Sequence, residues 1–335
     1  MKRAGLLLLA AIVLAAMAAP VLAPHDPSRS FRGFLFAPPM PPRLVDADGG
    51  WHLPFIYPLR LENRLERRFS EDRTRRVPLV LFAGGRLLTA SDESAGPWLP
   101  LGADSSGRDV AARLLYGART SLAIALLAAA AAVLLGALVG GMAGYAGGVL
   151  DAGLMWLAEF VLVLPAVYVV LVLRAALPLV LPTWAIFLLM TGIFGLVGWP
   201  WVARGVRGIV ASERTRDYAV AARSLGAGHA RLLFRHLLPA CRSFLAVQVV
   251  LLVPAFILAE ATLSFVGLGF PDTVPSWGSM LIDAADVSAI RQFPWTLAPA
   301  AGIFAVTLGA NLALDTPPLP PRDSQVSTAR AVDAV

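Results

Sequence analysis

Few side chains in this chain stand at spacings that support covalent or metal chemistry. His25, His52, His229 and His236 are scattered, with no metal-ligand spacing among them. Cys241 is the one cysteine, so no internal disulfide can form. Asp46 and Asp48 could suggest calcium, but the twelve-residue loop with its closing Glu is absent, and residues 46–50 read as a turn. No Gly-x-Ser-x-Gly, His-Glu-x-x-His or pair of intramembrane aspartates points to an intramembrane enzyme. Lys2 is the one lysine, so no phosphate-binding loop ending Gly-Lys-Ser/Thr can exist, and the chain is not its own P-loop ATPase. Glu159 and Glu260 are the ionisable residues nearest the apolar blocks. An intramembrane carboxylate would suggest a proton or cation path. Both are expected near span ends instead, where headgroups and water solvate them.

The residues best suited to mechanical work are Asp217-Tyr218-Ala219-Val220-Ala221-Ala222-Arg223-Ser224-Leu225-Gly226, continuing through Phe234-Arg235-His236-Leu237-Leu238-Pro239. They form an Arg-rich island between two long apolar runs. Thr215 can cap a helix whose positive end Asp217 complements. Residues 218–225 form that helix, and Gly226 suits the left-handed position that ends it. A second helix is expected over 229–238, stopped by Pro239. Ala221, Ala222 and Gly226 are small enough for a partner to approach closely. The blander alternative is an amphipathic connector lying along the headgroups.

The elements that must hold this island are membrane spans. The chain has 335 residues, 57% of them hydrophobic and 15% charged, with a mean hydropathy of +0.70. Apolar blocks of about 20 residues match the roughly 30 Å of bilayer hydrocarbon. Blocks at 4–22, 120–150, 152–173, 175–203, 243–259 and 294–314 give an all-α polytopic membrane protein with six transmembrane helices. Pro178 and Pro182 delay the fourth helix to about Thr183. The first block reads either as a cleaved signal peptide, with a small-residue site at Val21-Leu22-Ala23, or as a retained span; the retained, signal-anchor-like span 1–23 is preferred.

With the N-terminus inside, residues 24–100 form an extracytoplasmic insertion of mixed β character. Residues 51–57 read as a strand, and 79–89 as a hairpin turning at Ala83-Gly84-Gly85. Residues 60–76 read as a solvated charged face. Residues 101–314 form the transmembrane domain, residues 204–242 a cytoplasmic loop, and 315–335 a cytoplasmic tail. That loop carries eight arginines, as the positive-inside rule expects, so the net charge of +6 needs no nucleic-acid partner. Gly136 and Gly140 form a Gly-xxx-Gly pair expected to pack within one subunit before it dimerises.

At these residues the chain resembles a family. Ala221-Ala222, then Gly226, then Leu238-Pro239 is similar to the cytoplasmic loop of ABC importer permeases. Two further segments resemble the peptide/nickel importer branch. One is Leu101-Gly102-Ala103-Asp104-Ser105-Ser106-Gly107-Arg108-Asp109-Val110, continuing to Leu122; the other is Glu260-Ala261-Thr262-Leu263-Ser264-Phe265-Val266-Gly267-Leu268-Gly269 with Pro275-Ser276-Trp277-Gly278. The resemblance covers roughly residues 99–314, and three ordered motifs make it specific. It implies a permease, not an enzyme and without cofactor or metal, that takes up di- or oligopeptides or related solutes. It also implies a second homologous permease, two cytoplasmic ATPase subunits and an extracytoplasmic solute-binding protein. Tyr218, Ala221, Ala222, Gly226, Leu238 and Pro239 would couple to the ATPases. Glu260, Gly267, Gly269 and Trp277 would form an outer loop or gate. Gly107, Arg108 and Asp109 would form a gate or docking element beside the binding protein, or, as the residues alone favour, an elbow that positions the second span. Trp277 and Trp295 read first as interfacial anchors. Departures are Val220 where the family has glutamate, Trp156 for arginine, Glu159 for aspartate, a tail without the charged ending, and a longer 24–98 segment. The alternative class is a secondary transporter or channel, which should show internal repeats and polar mid-membrane residues.

Overall fold

The computed structural model describes residues 2–46, 49–64, 66–92, 96–165, 168, 169, 172, 182–285 and 287–314. Asp48, most of the end of the third apolar block and the tail from 315 onward lie outside them.

The helices follow the apolar blocks, with boundaries set by caps rather than by hydropathy. Helix α1 covers Lys2–Met17. Helix α2 covers Val110–Ala146 and is rich in alanine and leucine, the strongest helix formers. It starts ten residues before the expected 120, because Asp109 caps it by accepting from the Ala111 and Ala112 amides. Helix α3 is Gly148–Val163, and α4 is Thr183–Glu213, starting where Pro182 predicts. Helix α5 is the short Asp217–Ser224, α6 is His229–Phe265, and α7 is Pro294–Leu314. Helices α2, α4, α6 and α7 are long and apolar enough to cross a membrane. The described parts of α1 and α3 are 16 residues each.

Two expectations about α6 fail. Pro239 does not stop a helix. Leu233–Leu237 winds as a π-helix and Leu238–Cys241 as a 3-10 turn, so the chain runs through the proline into the regular helix from Arg242. Such local rewinding accommodates a residue that cannot donate. Nor does α6 end at Glu260; it continues to Phe265, which puts Glu260 inside the helix.

Helix packing rests on close approach, since lipid supplies no hydrophobic drive between helices. Gly136, Gly140 and Gly144 line one face of α2 against α4. A Cβ at these glycines would fall 2.5 Å from Val202 Cβ, 2.2 Å from the Ala203 carbonyl oxygen and 2.5 Å from the Arg207 carbonyl oxygen. The Gly-xxx-Gly face is therefore filled within the chain. Helix α1 meets α7 the same way: a Cβ on Gly5 would fall 2.5 Å from the Ala313 amide nitrogen.

Between α1 and α2 lies a small β module. Strands β1 (Arg43–Val45), β2 (Trp51–Ile56), β5 (Val77–Leu81) and β6 (Leu88–Ala90) form an antiparallel sheet in the order β1-β2-β5-β6. The expected hairpin joins β5 to β6, with Gly84 and Gly85 at φ of 60° and 77°. The charged segment forms a separate ribbon of β3 (Leu59–Asn63) and β4 (Arg68–Glu71). Ile56, Val77, Leu79, Trp98 and Leu99 make the module's core, and Trp98 donates to the Met40 carbonyl at 3.0 Å.

Candidate functional site

The Arg-rich island folds as a turn of helix pinned beneath the spans. Thr215 does not cap it; its hydroxyl donates to the Ser212 carbonyl, and Arg216 is the N-cap residue. Asp217 lies in the first turn. The C-terminus is a Schellman closure: the Gly226 amide donates to Arg223 and the Ala227 amide to Ala222, with Gly226 at φ 83°. This is the left-handed position the sequence assigned to Gly226.

One side of α5 is fixed and the other is open. Ala219 is buried in a cluster with Val202, Val206 and Val210 of α4 and Leu232, Leu237 and Cys241 of α6. Tyr218 is half-exposed, and its hydroxyl donates to Glu213 at 2.8 Å. Burial and the Glu213 carboxylate together push its phenol up to about 12. Val220, Leu225 and Phe234 project outward, with Leu225 at 89% exposure. Arg216, Arg223, Arg231 and Arg235 are exposed around them. Ala221 is exposed and Ala222 half-buried; Leu238 is half-buried above Gly141, and Pro239 is exposed.

Arginines of this segment tie the adjoining helix ends together. Arg214 donates to the Tyr145 carbonyl at 2.9 Å, and the Tyr145 hydroxyl meets His229 Nδ1. Arg207 of α4 grips Asp151 of α3 with two groups: its Nε donates to Oδ1 at 3.0 Å and its Nη2 to Oδ2 at 2.5 Å. The signal available was weak: a tyrosine and an aspartate at the expected inner turn, opposite an arginine-rich segment. The turn thus presents an apolar knob ringed by arginines, with its back packed on α4 and α6 and tied to the end of α2 through Arg214, while α3 is held to α4 by Arg207. Chemically it can grip and be pushed, and nothing on it suggests catalysis.

At the opposite end, Gly107, Arg108 and Asp109 form an elbow. Gly107 has φ 74°, and a Cβ there would fall 2.5 Å from the Phe31 carbonyl oxygen. Arg108 pairs with Asp104 at 2.7 Å and with Asp272 at 2.7 Å. Burial works against its charge, but these two carboxylates outweigh it and hold the guanidinium above its usual range. Asp109 also meets His25 Nδ1 at 3.0 Å. All three side chains or backbones are engaged in joining the N-terminal linker, α2 and the loop after α6.

Glu260 lies close by, and its place overturns the expectation of a solvated span end. It is 1% exposed and accepts from Ser121 Oγ of α2 at 2.9 Å and Ser264 Oγ at 2.7 Å. Ser121 Oγ in turn accepts from the Trp277 amide at 3.1 Å. Trp277 is 2% exposed and its indole donates to the Leu114 carbonyl, so it is no interfacial anchor. Trp295 is half-buried and donates to the Ala103 carbonyl at 2.9 Å, a tie to the elbow rather than to headgroups. Gly267, at φ 81°, closes α6 with a second Schellman pattern, and Gly269 packs on Ser264 too tightly for a Cβ. The outer motif residues therefore gather into one buried joint between α2, α6 and the short helix Trp277–Met280. Glu159, by contrast, is exposed on α3.

Comparisons with known proteins agree on one kind. Residues 132–316 match the model of the binding-protein-dependent transport system inner membrane component family. The oligopeptide transport system permease protein OppC of Bacillus subtilis is 37% identical over 215 residues, 64% of this chain and 68% of that protein. The di/tripeptide transport system permease protein DppC of Pseudomonas aeruginosa is 32% identical over 309 residues, 92% of this chain and 83% of that one. The dipeptide transport system permease protein DppC of Bacillus subtilis is 40% identical over 190 residues, 57% of each chain.

Proposed function

The chain belongs to the binding-protein-dependent transport system inner membrane component family, multi-pass proteins of the cell membrane, and from that premise we propose that it is a permease subunit of an ATP-driven importer of di- or oligopeptides. It forms half of the pathway. A second homologous permease supplies the other half, two ATPase subunits bind on the cytoplasmic side, and a solute-binding protein delivers cargo from outside.

The observation that carries this reading is the α5 turn, exposed on one side and locked on the other. Closure of an ATPase pair moves a turn seated in it. Ala219 passes that motion to α4 and α6, and Arg214 passes it to the end of α2. Helices α2 and α4 share a seam without slack, so they move as one body. Val220 leaves this face of α5 without the family's carboxylate, so contact is made by the apolar knob and the surrounding arginines. Tyr218, Ala221, Ala222, Gly226, Leu238 and Pro239 belong to that contact.

In this reading α1 and α3 complete six spans, the N-terminus and residues 315–335 lie in the cytoplasm, and the β module lies outside. The glycine contact between α1 and α7 supports a retained first span, because cleavage would strip α7 of a fitted neighbour. The outer joint around Glu260 and Trp277 serves as a fixed hinge for the outer loop.

The test is uptake of a radiolabelled dipeptide in proteoliposomes holding the assembled transporter. Gly226→Val forces a β-branched residue into a left-handed position where no neighbour blocks it, so the turn and not the bundle is disturbed. ATP-dependent uptake then falls while the amount of assembled protein is unchanged. Uptake that follows a proton gradient and ignores ATP would instead make the chain a secondary transporter.

A further inference from the structure

The β module carries a feature that coupling to ATP does not use. Where β3 and β4 meet the segment before α7, an open cleft of about 770 Å³ lies between the module and the permease core. Its floor is aromatic. Phe36 and Phe293 stack with ring centroids 4.4 Å apart, and Trp295 lies 5.6 Å beyond Phe293. Arg67 lies over the Phe36 ring at 4.4 Å, and Arg68 and Phe69 complete the wall. A second hollow of about 300 Å³ shares Arg67 and Phe69 and adds Arg32 and Arg64.

Two observations separate this cleft from an ordinary solvated face. Phe36 and Arg67 are both non-glycine residues in the left-handed region, at φ 52° and 51°. Such residues are uncommon and costly, and here the two strained positions face each other and stack. The arginines are also unpaired. Arg43, Arg73, Arg76, Arg108 and Arg113 all have acidic partners. Arg32, Arg64, Arg67 and Arg68 have none among the described residues, and Glu66 is the one carboxylate that lines either hollow. The volume lies within the range of about 300–1,000 Å³ common for small-ligand sites.

We propose that this cleft binds a carboxylate joined to an apolar or aromatic side chain, the chemistry of a peptide's C-terminal residue, with Arg67 and Arg68 on the carboxylate and Phe69 and Trp295 against the side chain. Arginine suits a carboxylate because its planar fork can bond both oxygens. The aromatic wall argues for an apolar body rather than a bare inorganic anion. The excess of positive charge argues against a free amino acid, whose ammonium it would repel. This site is separate from the coupling turn and independent of ATP, so it stands or falls apart from the transport reading.

The test uses the full chain in lipid nanodiscs, without ATPase subunits, and equilibrium binding of N-acetylphenylalanine. Saturable binding is expected. N-acetylphenylalaninamide should bind at least about tenfold more weakly, the value of a charge-assisted hydrogen bond. The double variant Arg67→Ala/Arg68→Ala should lose at least about tenfold, with Arg67→Lys retaining part of the affinity. Arg43→Ala, which breaks an ion pair to Glu71 outside the cleft, should leave binding unchanged and controls for damage to the module. Equal binding of the amide, no saturable binding, or an unchanged double variant overturns the proposal. Free phenylalanine binding as tightly as the acetylated form overturns the assignment to a peptide end. Inorganic phosphate displacing the ligand at equal concentration overturns the need for an apolar body.

Discussion

Replacing Gly140 with alanine tests whether the seam between α2 and α4 is as tight as its geometry states. The added Cβ would lie 2.2 Å from the Ala203 carbonyl oxygen and 2.8 Å from Ala203 Cα, both backbone atoms that no rotamer change can move. Ordinary contact begins near 3.4 Å, so the helices must part by about 1 Å. A gap of that size forfeits roughly a quarter to a half of the dispersion attraction along the contact. Overpacking of this kind costs about 1–3 kcal/mol. Gly136→Ala should cost a similar amount, and the double variant less than the sum, since the first parting relieves the second. Cys241 supplies the assay, because the one thiol in the chain is fully buried and reacts with a fluorogenic maleimide only on unfolding. Gly140→Ala should lower the melting temperature and reduce ATP-driven uptake, since the seam carries motion from α5. Gly153→Ala on α3, where an added Cβ meets nothing within 4 Å, is the control and should change neither. If both variants melt alike, the close-packed seam is wrong.

Two other outcomes follow from the joints at either end. Glu260→Ala removes the acceptor for Ser121 and Ser264 and should cost about 2–4 kcal/mol in the same melt, with Glu260→Gln costing less because its amide oxygen still accepts; if Glu260→Gln abolishes uptake at unchanged stability, Glu260 is a transport carboxylate and not a joint. For Tyr218, the phenol rises from an ordinary 10.0 to about 12, so the folded chain keeps a proton that the unfolded chain loses first. Its contribution to stability is complete below pH 10 and is lost as the pH climbs towards 12. The ultraviolet titration of the wild type minus that of Tyr218→Phe should show ionisation near 12, and a step near 10 would refute the half-buried, Glu213-bonded placement of the hydroxyl.

The sequence made some of this architecture readable for definite reasons. The inner turn announced itself because arginines interrupt apolar blocks only where the chain leaves the bilayer, and Gly226 because the backbone there needs a left-handed residue. The β5–β6 hairpin was visible in its paired glycines. Hydropathy registers the charge of Glu260 as a boundary, whereas its partner Ser121 lies 139 residues away, outside any local window. Local sequence makes Pro239 a stop, because the rewinding into π and 3-10 turns depends on the packing of Leu233 and Leu237 against α4. The type and place of Trp277 suit a surface anchor, while its burial comes from α2 and from Gly302 of α7. The aromatic cleft left no trace at all, since the left-handed backbone at Phe36 and Arg67 belongs to no residue preference.

The central claim is that the α5 turn lies in the cytoplasm and is gripped there by an ATPase subunit. Leu225→Cys tests it directly, because residue 225 is 89% exposed and the native thiol is buried. A membrane-impermeant maleimide should label this cysteine in inverted vesicles and not in intact cells, and assembly with the ATPase subunits should block the labelling. Labelling from the outside, or full labelling in the assembled transporter, would contradict the account.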